Sequence, residues 1–220
     1  MVALNPLTPD YGWNEAAGRY IDLKTGQFIS GQELRGALEA VIDGARADIH
    51  TVSLQLQAGE INLADWQTRM MQSIKDINTA AAAEANGGWA QMSQADWGRV
   101  GHWVRDQYAY LDKFADAIFT GDQPLNGNFL RRADLYGQSG RGLVEQMKRA
   151  WQKNNNAMEE ERRVLGVADH CLGCLEQVSR GWQPIGSLDP IGAEECTTNC
   201  HCFFEFRRRG PDGWIVVSDE

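Results

Sequence analysis

All five cysteines of this 220-residue chain lie within 32 residues of one another, toward its C-terminal end. Cys171 and Cys174 form a Cys-x-x-Cys pair, and after 21 further residues come Cys196, Cys200 and Cys202. Two close groups of thiols joined by a loop are the usual way in which a chain gives a zinc ion four soft tetrahedral ligands. The spacing therefore predicts a structural zinc site.

The identity of the four zinc ligands is left open by the spacing. Cys171, Cys174 and Cys200 are the firmest candidates. Cys202 points to the same side as Cys200 if this segment is a strand, which would make it the fourth ligand. Cys196, four positions before Cys200, is an equal alternative.

Disulfide bonds and redox chemistry explain the cysteines less well than zinc does. Residues 1–7 lack the basic start and apolar core of a signal peptide, so we expect a reducing cytoplasm, where disulfides are disfavoured. A redox Cys-x-x-Cys pair is expected between a strand and a helix, with no second cluster. His170 and His201 adjoin the ligands, and we expect them beside the metal or in solvent. We find no acid or base at a spacing suited to hydrolysis.

Helical patterns fill the chain before residue 169. Ser30 opens a capping box, and the apolar residues after it recur every three or four positions until the chain reaches Gly59. Asn62 and Ser93 are predicted to cap a second and a third helix. A fourth helical region is predicted from near Asn128, with breaks at its glycines (Gly137, Gly140 and Gly142) and at the polar run 153–156.

Short strands are predicted at both ends of the chain. Tyr20–Leu23 and Gln27–Ile29 flank a Lys-Thr-Gly turn and predict a hairpin or arm, which must dock on its own helices or on a neighbour. Cys202–Phe206 and Trp214–Val217 predict a second hairpin. This C-terminal module looks too small to bury a core, so we expect a metal to stabilise it.

The predicted fold is therefore mainly α: a multi-helix bundle with an N-terminal arm or hairpin and a small zinc-ribbon-like β-hairpin module. The predicted domains are residues 1–29, 30–166 and 167–220. No apolar run reaches the length of a membrane span. The chain also lacks a Gly-rich phosphate loop, a nucleophile elbow and a His-Glu metal motif, so we expect no enzyme activity.

Charge and aromatic content point to protein partners. The net charge of −9 opposes broad binding to nucleic-acid phosphates. Arg207, Arg208 and Arg209 form the one basic patch, which is either a solvated strand end or a contact for nucleic acid or a partner. Eight tryptophans are many for this length and favour burial against other chains.

The two cysteine segments, Asp169–Cys174 and Asn199–Cys202, at the close of a helical domain resemble the head-morphogenesis, or minor head, proteins of tailed bacteriophages. The family usually carries a His-Pro just before the Asn-Cys-x-Cys motif. This chain has Thr197-Thr198 there, with Cys196 ahead of them. Cys196 could take the place of that histidine, so the resemblance leaves the set of ligands open.

The resemblance to minor head proteins implies a virion protein of the portal vertex. Such proteins are made in the host cytoplasm and act in head morphogenesis or head–tail joining, oligomeric in the virion. Their partners are the portal protein and other capsid or neck proteins. A ring-forming head–tail adaptor is the alternative within this class. A zinc-ribbon regulator that binds nucleic acid through its arginines is the alternative of another class.

Overall fold

The computed structural model of the protein describes residues 10–14, 19–154, 157–197 and 200–217. This part of the chain is mainly helical, with a three-stranded sheet before the helices and a four-stranded sheet after them. The predicted fold class is thereby confirmed. Part of the predicted arm, residues 1–9 and 15–18, lies outside the described residues.

Five helices form the bundle, and the first three begin directly after their predicted caps. The Ser30 hydroxyl accepts a hydrogen bond from the amide of Glu33 at 3.1 Å, and the Glu33 carboxylate accepts one from the Ser30 amide at 2.7 Å. Because each cap satisfies amides that lack a partner within the helix, these starts are set locally. The helices are α1 (Gly31–Gln57), α2 (Leu63–Ala85), α3 (Gln94–Thr120), α4 (Gly127–Gly137) and α5 (Ser139–Asn154).

Aromatic side chains fill the centre of the bundle. Trp66 is fully buried, and its ring meets Phe114 edge-on at 5.4 Å between centroids and Phe129 at 5.7 Å. Its indole N–H donates to the Ser53 hydroxyl at 3.1 Å. A buried tryptophan needs such an acceptor, so this bond fixes the register between α1 and α2.

Glycines at the break between α4 and α5 allow close packing. A Cβ on Gly137 would lie 2.9 Å from the Cα of Arg46, and one on Gly140 would lie 3.2 Å from the Cβ of Ala81. The predicted break is confirmed, since α4 ends at Gly137 and α5 starts at Ser139. These glycines therefore let the break pack closely against α1 and α2, in addition to interrupting the helix.

The N-terminal sheet docks on the connection between α2 and α3. Its strands β1 (Tyr11–Asn14), β2 (Arg19–Asp22) and β3 (Phe28–Ile29) pair antiparallel in the order β1-β2-β3. The predicted hairpin is β2–β3, and β1 is an addition to it. The Tyr11 amide donates to the Gly87 carbonyl at 2.8 Å, and a Cβ on Gly87 would lie only 2.1 Å from the Tyr11 carbonyl oxygen. The sheet thus packs on helices of its own chain.

The C-terminal sheet contains a strand that the sequence analysis placed in the helical segment 30–166. Residues Glu160–Val164 form β4, which pairs with the predicted hairpin, so the helical assignment of these residues is wrong. The run Glu-Glu-Arg-Arg looks solvent-exposed, yet Glu161 and Arg163 are buried because both find partners within the fold. The sheet order is β5-β4-β6-β7, with β5 (Gln183–Pro184), β6 (Phe203–Gly210) and β7 (Gly213–Val217).

A buried ion pair joins this sheet to the helical bundle. The Arg149 guanidinium of α5 donates to the Glu161 carboxylate through Nε at 2.7 Å and also through Nη2. Arg149 lies 4.8 Å from the ring of Phe204, whose amide donates to the Glu145 carboxylate at 2.8 Å. Helix α5 is therefore the element on which the cysteine-bearing module rests.

Candidate metal centre

The Cys-x-x-Cys pair lies at the start of a short helix, α6 (Leu172–Ser179). Cys171 is the N-cap, and its sulfur accepts a hydrogen bond from the amide of Cys174 at 3.5 Å. Gly173 therefore sits in the first helical turn. A Cβ there would lie 2.2 Å from a Glu194 carboxylate oxygen, so a larger residue would require that side chain to move.

The five sulfurs converge on one place. The Cys174 sulfur lies 3.5 Å from that of Cys196 and 3.7 Å from that of Cys200. Two groups of three have all their sulfurs within 4.8 Å of one another, namely Cys171, Cys174 and Cys196, and Cys174, Cys200 and Cys202. A tetrahedral zinc with bonds of about 2.3 Å separates its sulfurs by roughly 3.8 Å. The cluster therefore has the donor type and the spacing to hold a metal ion.

Cys174 is the sulfur that the two groups share. It is 1% exposed, and Cys200 and Cys202 are also buried, whereas Cys171 and Cys196 are partly exposed. All five are free thiols. Cys196 belongs to the group with Cys171 and Cys174, and Cys202 belongs to the group with Cys174 and Cys200, so the grouping does not choose between them as a fourth ligand.

Burial and hydrogen bonds among the sulfurs shift the pKa values of the thiols. The thiol of Cys202 donates to Cys200, and this bond is the main reason that the pKa of Cys200 is lowered to about 4. Burial raises the pKa of Cys174 and of Cys196, and the bond to Cys200 raises that of Cys202. The hydrogen bonds among the sulfurs thus favour the thiolate form at Cys200 and the thiol form at Cys202. Metal binding must displace protons from the other ligands.

Arg163 is a neighbour of the cluster that the sequence analysis missed. Its guanidinium is fully buried and lies 3.7 Å from the Cys174 sulfur, while Nη2 donates to the carbonyls of Asp189 and Pro190. Glu194 lies 4.0 Å from the same guanidinium. A positive charge here offsets the thiolates and ties the loop that leads to Cys196 to strand β4. The sequence signal for it is weak, since Arg163 belongs to a run of five charged residues, 159–163.

Two further polar groups border the sulfurs. His170 Nδ1 lies 3.9 Å from the Cys202 sulfur, and its other ring nitrogen lies 2.9 Å from the Gly166 carbonyl oxygen. Glu195 accepts from the amide of Gly173 at 3.2 Å, and a hydrogen bond from Cys171 lowers the pKa of that carboxyl group. His170 therefore lies beside the candidate ligands, as the sequence indicated.

Apolar side chains surround the cluster and give the module a small core of its own. Leu188, Ile191, Phe204 and Phe206 are each at most 3% exposed and pack with the buried cysteines. The expectation that the module is too small to bury a core is therefore wrong. The loop between β5 and Cys196 contributes Leu188 and Ile191 to this core, and the sequence pattern did not indicate that the loop is buried.

The three consecutive arginines do not form one basic patch. Arg207 forms an ion pair with Glu160 at 2.5 Å, and its guanidinium lies 4.4 Å from the ring of Trp182 and 3.9 Å from that of Trp214. The Arg209 guanidinium lies 4.7 Å from the ring of the same tryptophan, Trp214. Arg207 is thus engaged by a carboxylate and two indole rings, whereas Arg209 contacts one indole ring and stays exposed.

Arg208 faces the opposite side of β6 from its two neighbours. Alternation along the strand places it on the same face as Phe204 and Phe206, toward α5. The predicted set of contacts for nucleic acid or a partner is thus divided between two faces of the sheet.

No helix in the described part of the chain is both long enough and apolar enough to cross a membrane. Comparisons with protein-family models, with curated proteins and with solved structures give no match to this chain.

Proposed function

We propose that this chain is a non-enzymatic structural protein of a tailed-bacteriophage particle, located at the portal vertex, and that its cysteine cluster binds one structural zinc ion. The observation that carries the proposal is the convergence of both cysteine segments of the minor-head motif on a single point at the end of a helical body. The proposed partners are the portal protein and other capsid or neck proteins, and the proposed action is head morphogenesis or head–tail joining.

Zinc fits the donor set better than other common metals. The donors are thiols, which favour zinc and copper(I) or iron–sulfur clusters over magnesium and calcium. Cys171, Cys174 and Cys200 would each contribute a ligand, and Cys196 or Cys202 would supply the fourth. A bound zinc would hold the start of α6, the loop before Cys200 and the entry to β6 together, which is a structural task.

The division of the arginines supports a protein-binding role over nucleic-acid recognition. Arg207 and Arg209 are stacked on tryptophans, and Arg207 is neutralised by Glu160. A net charge of −9 adds a general repulsion from phosphates. A head–tail adaptor ring remains within the proposal, since the oligomeric state decides between an adaptor and a minor head protein.

Elemental analysis of the purified protein tests the zinc site. We expect one zinc per chain. Cys174→Ser should abolish binding because it breaks both groups of sulfurs, whereas Cys196→Ser and Cys202→Ser should each leave four cysteines and retain the metal. The double variant at positions 196 and 202 should lose it. Full zinc occupancy in Cys174→Ser would contradict the proposed site.

Chelation tests the structural role of the metal. Removal of zinc should lead to loss of protection from hydrogen exchange in residues 169–217, while the amides of α1, α2 and α3 stay protected, because these helices have a separate aromatic core. Loss of protection throughout the bundle would argue against this role.

Localisation in phage particles tests the biological role. Cross-linking and cryo-EM of purified particles should place the chain at the portal vertex, in contact with the portal protein. Its absence from complete particles would refute that assignment and leave the zinc site to be judged separately. Salt-dependent binding to DNA, lost when Arg207 and Arg209 are replaced, would favour the regulator instead.

A further inference from the structure

A cavity of about 600 Å³ lies between the N-terminal sheet and the C-terminal sheet, beside the end of α5. One wall carries aromatic and apolar side chains of β1, β2 and the end of α5, and the other is the inner face of β6 and β7. Its lining includes Tyr11, Tyr20, Trp151, Phe206, Arg208 and Ile215.

Arg208 brings a positive charge into this cavity without a counter-charge. Its Nε is buried and has no hydrogen-bond partner, and within the described residues no carboxylate forms an ion pair with it. Asp96 also lines the cavity, but it already caps α3 through Ser93 and pairs with Arg99 at 2.8 Å. A buried N–H that lacks an acceptor is unfavourable, and Arg208 carries a positive charge, so this part of the cavity is complementary to a carboxylate.

Strand β7 borders the same cavity and is the edge of its sheet. Ile215 and Val217 line the cavity, and Trp214, Ile215 and Val216 are between 40% and 49% exposed. Among the described residues only β6 pairs with β7. An exposed apolar edge strand is a template for another strand.

The register of the hairpin shows which backbone groups are free at this edge. Gly210 pairs with Gly213 across a two-residue loop, which makes them a hydrogen-bonded pair. Since such pairs alternate along an antiparallel ladder, Ile215 and Val217 bond to β6. The N–H and C=O groups of Trp214 and Val216 therefore point outward from the sheet.

We propose that β7 accepts an extended segment of a partner protein as an additional strand, and that an acidic side chain of this segment enters the cavity and pairs with Arg208. Arg208 and Ile215 are cross-strand partners, so the residue opposite Ile215 on an added strand would project into the cavity. Its Cα would lie about 10 Å from that of Arg208, a gap that a glutamate and an arginine side chain bridge together. Apolar residues two positions to either side would cover the exposed inner face of β7.

This docking surface is separate from the zinc site and does not depend on a role in the virion. The charge of the cavity selects an acidic segment, and the edge of β7 selects an extended one. A second copy of this chain and small apolar anions are the other occupants that the experiment must separate from a partner segment.

A displayed library of random nine-residue peptides, selected against the full-length protein, tests the proposal. Selected peptides should share one aspartate or glutamate, with β-branched or aromatic residues two positions to either side. In fluorescence polarisation, Arg208→Gln should weaken their binding by roughly 10- to 100-fold, which corresponds to loss of a charge-assisted hydrogen bond. Arg209→Gln is the matched control, since Arg209 lies on the opposite face, and it should bind as the wild type does.

The backbone contact is tested from both partners. Val216→Pro removes an outward N–H of β7 and should abolish binding. Should this variant fail to fold, the selected peptides can be N-methylated at alternate residues, and one of the two methylation registers should abolish binding to the wild type.

The proposal would be overturned by the selection of no peptide, or of peptides without a shared acidic position. Undiminished binding to Arg208→Gln would also overturn it, as would undiminished binding of peptides methylated in both registers. A dimer of the wild type in sedimentation equilibrium that Arg208→Gln dissociates would make a second copy the occupant instead.

Discussion

Replacement of Glu161 by alanine should destabilise the protein by about 3–5 kcal/mol, because it leaves a buried guanidinium without its counter-charge. The Glu161 carboxylate is fully buried and accepts from Nε and Nη2 of Arg149 and from the amides of Gly186 at 3.0 Å and Leu188 at 3.2 Å. For a chain of this size each kcal/mol lowers the melting temperature by roughly 2–4 °C. The expected decrease is therefore about 6–20 °C, measured by calorimetry on the zinc-loaded protein.

Two comparisons make this prediction sharp. Arg149→Met combined with Glu161→Met removes both charges and should be more stable than the alanine variant, since no unpaired charge remains. Glu39→Ala breaks the more exposed pair with Arg141 and should cost less than about 1 kcal/mol. A loss below 1 kcal/mol in Glu161→Ala would show that this pair does not hold the C-terminal sheet on α5.

Three further predictions concern single side chains. Gly166→Ala should weaken zinc binding at least tenfold in chelator competition, because its Cβ would lie 2.1 Å from the His201 carbonyl oxygen. As a control, Gly36→Ala lies in an open helical position and should stabilise the fold by about 0.5–1 kcal/mol. Equal zinc affinities in the two variants would contradict this prediction. Burial raises the pKa of Tyr136 to about 12, so the fold favours its neutral phenol; stability is fully present below pH 10 and is lost as the pH rises from 10 to 12, by up to about 2–3 kcal/mol. Thermal unfolding of Tyr136→Phe should lack this loss, and an unchanged pH profile would refute the assignment. Arg163→Met removes a group that contacts Cys174 and should lower zinc affinity by roughly 10- to 100-fold, and unaltered affinity would count against a role in positioning that ligand.

Local signals made most of the helical body predictable. Ser30, Asn62 and Ser93 each accept a hydrogen bond from an amide in the first turn of the following helix, so the helix starts depend on residues three positions apart. Glycines between 137 and 142 correctly indicated the break between α4 and α5, although their packing against Arg46 and Ala81 depends on other helices. No local sequence pattern predicts contacts between residues so far apart in the chain.

Strand β4 was missed for the same physical reason. Its burial depends on partners far away in sequence. Glu161 accepts from Arg149 and from the amides of Gly186 and Leu188, and Nη2 of Arg163 donates to carbonyls of the loop before Cys196. Five consecutive charged residues, 159–163, indicate a solvated segment unless those partners are known. The position of Cys171 at a helix N-terminus was hidden in a similar way, because α6 is only eight residues long.

Spacing predicted the cysteine centre only in part. It identified the five thiols, and the structure brings all of them together. It could not rank Cys196 against Cys202, and the structure explains why: each completes one of two groups that share Cys174. The charged neighbours of the site come from β4 and from the loop that follows β5.

The pairing of β4 with β6 has a consequence for the order in which the chain folds. Val164 pairs with Phe203, so the two strands can meet only by closing a loop of about 38 residues. A zinc ion already held by Cys171 and Cys200 would shorten that loop to about ten residues and lower its closure entropy by about 1 kcal/mol. Refolding of the C-terminal sheet should therefore be several-fold faster when zinc is present from the start than when it is added after the helices have formed.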